Sequence, residues 1–143
     1  MRAGQQVIVD NADESRVTIS GRWKLVHKSN AYGPTALLNR PAGRYVAFSP
    51  DLPAPGTYEV HLHYLAGKRR ASNVTVVVNQ GNQRVTLHHD MRKNRRRENW
   101  GCNHFQSIGQ FEMHAVANAG QVLLSAVNAD GKVMADAVKW VCV

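Results

Sequence analysis

TYEVHLHY, residues Thr57 to Tyr64, alternates with a period of two: Tyr58, Val60, Leu62 and Tyr64 fall on one face, Thr57, Glu59, His61 and His63 on the other. An extended chain turns successive side chains to opposite faces, so this is the pattern of a strand with one side on a core and one towards water. Solvent is the expected surrounding for His61 and His63, although both could line a ligand groove. Outward from this stretch the signal repeats. Residues 73–79 (NVTVVVN) and 83–88 (QRVTLH) are short and β-branched, and NQGNQ between them reads as a hairpin turn. Further strands are expected at 6–10, 16–20, 22–26, 35–38, 44–49, 105–113, 120–127 and 133–142. They are punctuated by NAD, NAYGP, RPAG, PDLPAPG, LAGK, NAG and NADG. No long window carries a helical apolar stripe. The chain therefore reads as all-β, an antiparallel β-sandwich of jelly-roll type, whose edge strands stay short. With no internal repeat and no linker, residues 1–143 form one expected domain.

A chain of 143 residues with 43% apolar residues is long enough to bury a core without staples. No apolar run reaches the roughly 18–20 residues of a membrane span, so no membrane partner is expected. The N-terminus, MRAGQQVIVD, lacks the apolar region of a secretory signal. A domain cut from a longer secreted protein would look the same.

The last expected strand, VMADAVKWVCV, is apolar on both faces, as a central strand should be. Asp136 shares a face with Met134, Val138, Trp140 and Cys142, so a carboxylate points towards the core. A buried carboxylate requires a partner, and Arg70 is the expected one. Trp23 and Trp140 lie on strands and are expected in the core. The two cysteines, Cys102 and Cys142, are read either as a disulfide or as one buried thiol and one in a loop; a bond would contribute about 4 kcal/mol on the chain-entropy model.

The ordered pieces VIVDNAD, GRWKL, AYG, GRYVAFSPDLPAPGTYEVHLHY, AGKRRASNV, FQSIGQFEM and GKVMADAVKWV resemble the golvesin C-terminal-like domain, a module attached to xanthan lyases and other secreted polysaccharide-degrading enzymes. The likeness runs from about Val7 to Val141, and is most specific in Pro50 to Val60 and Gly131 to Val138. It implies a β-sandwich of carbohydrate-binding-module type, usually a non-catalytic appendage. It also implies structural roles for Arg70 and Asp136 and packing for Tyr32. The chain departs from the family pattern mainly between His88 and Phe105.

That departure contains DMRKNRRRENWGCNHF, Asp90 to Phe105, in which five of the six residues from Arg92 to Arg97 are basic. Nine of the eighteen Lys and Arg residues lie between Lys68 and Arg97, so the net charge of +8 is concentrated in a patch. Clustered cations with Trp100, His104 and Phe105 would suit phosphates and stacked bases. No nucleic-acid-binding motif accompanies them, and nucleic acid is not the expected partner. A sugar site needs an aromatic platform and polar side chains. Trp100, in a polar loop, is the best platform, and His104 stands beside it. Arg95, Arg96 and Arg97 would fork onto carboxylates of an acidic polysaccharide. Lys68 and Arg69 of the AGKRR loop extend the set. The bland alternative is a solvated loop.

Zinc could in principle draw on Cys102 and His104 with His88, His89, His114 or Cys142, but the Cys-x-His spacing is weak and no metal centre is expected. Asp10, Asp13 and Glu14 offer oxygens for a structural calcium and suit a turn equally. His88-His89-Asp90 has no marked nucleophile, and no pair of acids is nominated for glycoside hydrolysis. The expectation is a non-catalytic, cofactor-free module for polysaccharide, extracellular or at the cell surface within a larger secreted protein. The alternative is an assembly module whose loop 90–104 makes protein or self-association contacts.

Overall fold

The structure, a computed structural model, describes residues 3–28, 31–93, 105–116 and 118–143. Ten strands occupy the described residues, with no helix among them: β1 Gln6–Asp10, β2 Val17–His27, β3 Thr35–Phe48, β4 Gly56–His63, β5 Val74–Asn79, β6 Arg84–His89, β7 Phe105–Met113, β8 Val122–Ser125, β9 Met134–Ala135 and β10 Ala137–Cys142. They form a four-stranded sheet in the order β1-β10-β4-β7 and a second sheet in the order β2-β3-β8-β5-β6, with β9 also on β3. Every strand pairing is antiparallel. The pairs β1–β10, β3–β8, β4–β7 and β5–β6 nest within one another along the chain, as in a jelly roll.

Alternation in the sequence sets the core. Tyr58, Val60 and Leu62 of β4 meet Val138 and Trp140 of β10 on the inner face of one sheet; Val74, Val76, Val78, Val46, Phe48 and Leu124 line the other. Each fully buried Val, Leu or Phe contributes about 1.5–3 kcal/mol. Trp140 is wholly buried, and its indole N–H donates to the Gly120 carbonyl at 2.8 Å. Trp23 is half-buried, donating to the Ser20 carbonyl at 2.9 Å.

Three boundaries differ from the sequence reading. Strands expected at 16–20 and 22–26 are one strand, because Gly21 takes φ +82° and absorbs a bulge without ending the pairing. Those expected at 35–38 and 44–49 are also one: Arg40, Pro41 and Ala42 fall in the irregular stretch of the β2–β3 ladder, where the missing Pro41 N–H does no harm. Conversely, 133–142 is two strands broken at Asp136. Met134 and Ala135 pair with β3 in the larger sheet, and from Ala137 the chain pairs with β1 and β4 in the other. Asp136 is the residue at which the chain crosses between sheets.

Candidate functional site

The end of the sandwich where β4 stops and β7 starts collects the residues of interest. Arg95, Arg96, Arg97, Trp100, Cys102 and His104 lie outside the described residues, and with them the Cys102–Cys142 pairing and the sugar platform. Cys142 is half-buried near the end of β10. The two points from which segment 94–104 departs and returns are described. At the first, the Tyr64 hydroxyl lies 2.7 Å from the Lys93 carbonyl, 2.7 Å from His89 Nε2 and 3.1 Å from Gln106 Oε1. A hydroxyl has one proton to give. With His89 Nε2–H donating into it, that proton goes to Lys93 or Gln106. At the second, the Phe105 ring packs edge-on against Tyr32 and His63, with centroids 5.3 and 5.2 Å away, and Lys139 Nζ stands 4.6 Å from its centroid.

Lys68 and Arg69 are exposed in the loop between β4 and β5. Backbone hydrogen bonds seat that loop beside its neighbours: Ala71 N on Lys132 O (2.7 Å), Lys132 N on Arg69 O (2.9 Å) and Met91 N on Ala71 O (2.9 Å). The same end carries exposed Arg92, Lys93 and Lys132. Among the described residues there, Asp90 and Asp130 are internally engaged. Arg92 grips Asp90 through two contacts of 3.0 Å, and their hydrogen bonding holds the Asp90 carboxyl down to about 2. Hydrogen bonds from Ser72 lower Asp130. Lys68, Arg69 and Lys93 make no ion pair among the described residues, so their charge faces outwards.

Beneath this rim lies a pair that the sequence reading assigned differently. Asp136 is buried, but its partner is His63, not Arg70: His63 Nδ1 stands 2.5 Å from Asp136 Oδ2, and the Tyr32 N–H donates to the same oxygen at 2.9 Å. Arg70 instead donates from Nε to the Leu65 carbonyl at 2.9 Å, and burial lowers its pKa. Nor does His63 face solvent; it is 2% exposed, covered by Tyr32 and Phe105. Neither His63 Nε2 nor Asp136 Oδ1 has a hydrogen-bond partner among the described residues. His61, two residues earlier, lies 3.1 Å from Glu59, which also accepts from Ser107 at 3.0 Å. The signal for His63 was present but faint: strand alternation puts it outside, and only the buried acid at Asp136 required a partner.

An aspartate–histidine pair suggests acid–base chemistry, yet no described hydroxyl or thiol lies within hydrogen-bond reach of His63 Nε2. Asp136 is wholly shut from solvent, which leaves no cleft between it and Asp10 for a glycosidic bond. Asp10 and Asp13 act as turn acceptors, for Ala12 N (3.0 Å) and Ser15 Oγ (3.2 Å). Among the described residues no group of three His, Cys, Asp or Glu side chains could hold a metal ion, and no helix is long and apolar enough to cross a membrane. The contacts the pair does make link the end of β4, the crossover at Asp136 and the Tyr32 backbone.

Comparison with known proteins agrees with this architecture. The chain is 36% identical over 144 residues to a xanthan lyase of Bacillus sp. (strain GL1), a match covering 96% of the chain and 15% of that protein. The structure superposes on a Paenibacillus xanthan lyase with a TM-score of 0.82 at 31% identity, covering 96% of this chain and 13% of that one. A Phanerochaete chrysosporium exo-beta-1,3-galactanase shares the fold alone, with a TM-score of 0.59 at 19% identity, over 95% of this chain and 29% of that one. The chain thus spans about one-seventh of the xanthan lyases it matches, the extent of a small accessory domain. The family model of the Golvesin C-terminal domain matches residues 7–142, and the chain belongs to that family.

Proposed function

We propose that this chain is a non-catalytic accessory module that binds polysaccharide, with a preference for acidic chains, as part of a larger secreted protein. The observation that carries the reading is the uncompensated cationic rim. Lys68, Arg69 and Lys93 are exposed without ion pairs among the described residues, on the side from which the segment holding Arg95, Arg96, Arg97, Trp100 and His104 departs. Cations so placed attract polyanions over about a Debye length and pair with carboxylates on contact. Trp100 supplies an aromatic face for sugar C–H groups, and His104 a polar neighbour. The xanthan lyase relatives carry a polysaccharide in their name, which supports the same substrate class.

Retention in gels holding acidic or neutral polysaccharide tests this, at low and high salt. Trp100→Ala should reduce retention on both. The Arg95/Arg96/Arg97 triple change to Gln, and separately Lys68→Gln with Arg69→Gln, should reduce it on acidic chains only. Equal retention of the wild-type chain and all variants would overturn the proposal. Concentration-dependent self-association through the same arginines, with no glycan retention, would point to an assembly module instead.

A further inference from the structure

The outer face of the larger sheet carries a groove on a different surface from the basic rim. Cross-strand register lays its side chains out in rows. Thr18, Ala47, Leu123, Val77 and Thr86 are successive partners across β2, β3, β8, β5 and β6. Five strands at about 4.8 Å spacing make this row roughly 19 Å long. Thr18, Ala47, Leu123 and Val77 of this row form the floor of a groove of about 340 Å³, within the roughly 300–1,000 Å³ range of small-ligand sites. Ala47 faces outwards and yet is only 2% exposed, because its neighbours stand above it. Tyr45 rises on one side; Gln121, Asn79 and Arg84 rise on the other.

This lining has one chemistry. A low apolar floor with a half-exposed aromatic ring suits the C–H face of a pyranose, and amides and hydroxyls suit its OH groups. Among the described residues no Asp or Glu lines the groove. Arg84 is exposed at its β6 end and makes no ion pair among the described residues. His88, four residues along β6, is exposed on the same face. The charge complement of that edge is a carboxylate, which a guanidinium takes in a two-pronged grip. We infer that the groove across β2-β3-β8-β5-β6 is a glycan-binding site for a linear oligosaccharide bearing a uronate. The uronate carboxylate sits on Arg84 and a sugar ring lies over the floor beside Tyr45. This rests on the reading of the domain as a polysaccharide-binding module and places a second contact surface on it, so that one chain could engage two stretches of polymer.

The test is amide chemical-shift mapping of the intact chain titrated with hexagalacturonate, and with uncharged cellohexaose as control, for wild type and Arg84→Gln. The site predicts hexagalacturonate shifts at Thr75 to Asn79, Leu123 and Thr18. It also predicts at least tenfold weaker binding in Arg84→Gln, the loss of the two-pronged charge-assisted contact, with cellohexaose binding unchanged by the substitution. Arg84 is an exposed strand residue, and the folded spectrum of the variant serves as its own control. Shifts confined to residues 65–70 and 90–93 would overturn the groove site and leave the rim reading standing. Absence of shifts anywhere in the wild type would overturn both. Groove shifts with undiminished affinity in Arg84→Gln would overturn the uronate assignment.

Discussion

His63 Nδ1 lies 2.5 Å from Asp136 Oδ2, with 1% and 0% of the two side chains exposed. The pair joins the end of β4 to the residue at which the chain passes between sheets, and Asp136 also holds the Tyr32 N–H. Removing one member of a buried, hydrogen-bonded pair leaves the other desolvated and unpaired, which costs about 3–5 kcal/mol. A domain has only about 5–15 kcal/mol in total. Urea unfolding should therefore place His63→Ala and Asp136→Ala near the edge of folding. Arg70→Met, which loses one bond to the Leu65 carbonyl, should cost about 1 kcal/mol. Should Arg70→Met prove as damaging as Asp136→Ala, the His63–Asp136 pairing would not be the one that matters.

Tyr64 anchors the departure of segment 94–104. Its ring is buried, and its hydroxyl lies among the Lys93 carbonyl, His89 and Gln106. Tyr64→Phe keeps the packing and leaves those groups without their shared partner, a cost of about 1–2 kcal/mol. Under the proposed function, retention on acidic polysaccharide should fall as well, because the exit of the basic segment is no longer held. A stability loss with unchanged retention would detach the anchor from binding.

Asp10 gives a pH dependence. Burial, opposed by the Ala12 N–H and reinforced by the Asp136 carboxylate, raises its pKa above the usual 3.8. Between the ordinary and the raised value the folded chain holds more protons than the unfolded one, so stability declines as pH rises through that window. Asp10→Asn keeps an acceptor for Ala12 and removes the titration. Thermal melts should show the variant more stable than wild type at neutral pH and level with it at about pH 3. Equal melting temperatures at neutral pH would show that the raised pKa carries no stability.

The sheet architecture was legible because one face of most strands is buried. Period two in Thr57 to Tyr64 set the register of β4 in advance, and the β-branched run at 73–79 marked β5. Where a turn residue did not make a turn, the reading failed. Gly21 and Pro41-Ala42-Gly43 look like breaks but lie in a bulged ladder whose flanking strands continue. His63 was misplaced for a different reason. Local alternation sent it to solvent, whereas the Tyr32 and Phe105 rings that bury it arrive from residues far away in sequence. The Asp136 burial was readable from one strand; its partner was not, because partner choice depends on where β4 ends relative to β10. The groove by Tyr45 and Arg84 left no local trace at all, since it exists only once five strands are in register.

Gly120 shows how a turn position supports the core. It sits at φ +91°, its carbonyl receives the Trp140 indole N–H, and a Cβ there would fall 2.8 Å from Leu52 Cδ1 and 2.9 Å from Pro50 Cγ. Gly4, at φ +85°, has no described atom within 4 Å of the same position. Both pay the left-handed penalty when changed to Ala, about 1–2 kcal/mol. Gly120→Ala alone adds crowding, of about 1–3 kcal/mol. Urea unfolding of the two variants separates the effects: Gly120→Ala should lose markedly more stability and red-shift the Trp140 emission as its hydrogen bond is disturbed. Equal losses would mean that the 50–55 loop yields freely and that Trp140 is held by its strand neighbours rather than by the turn.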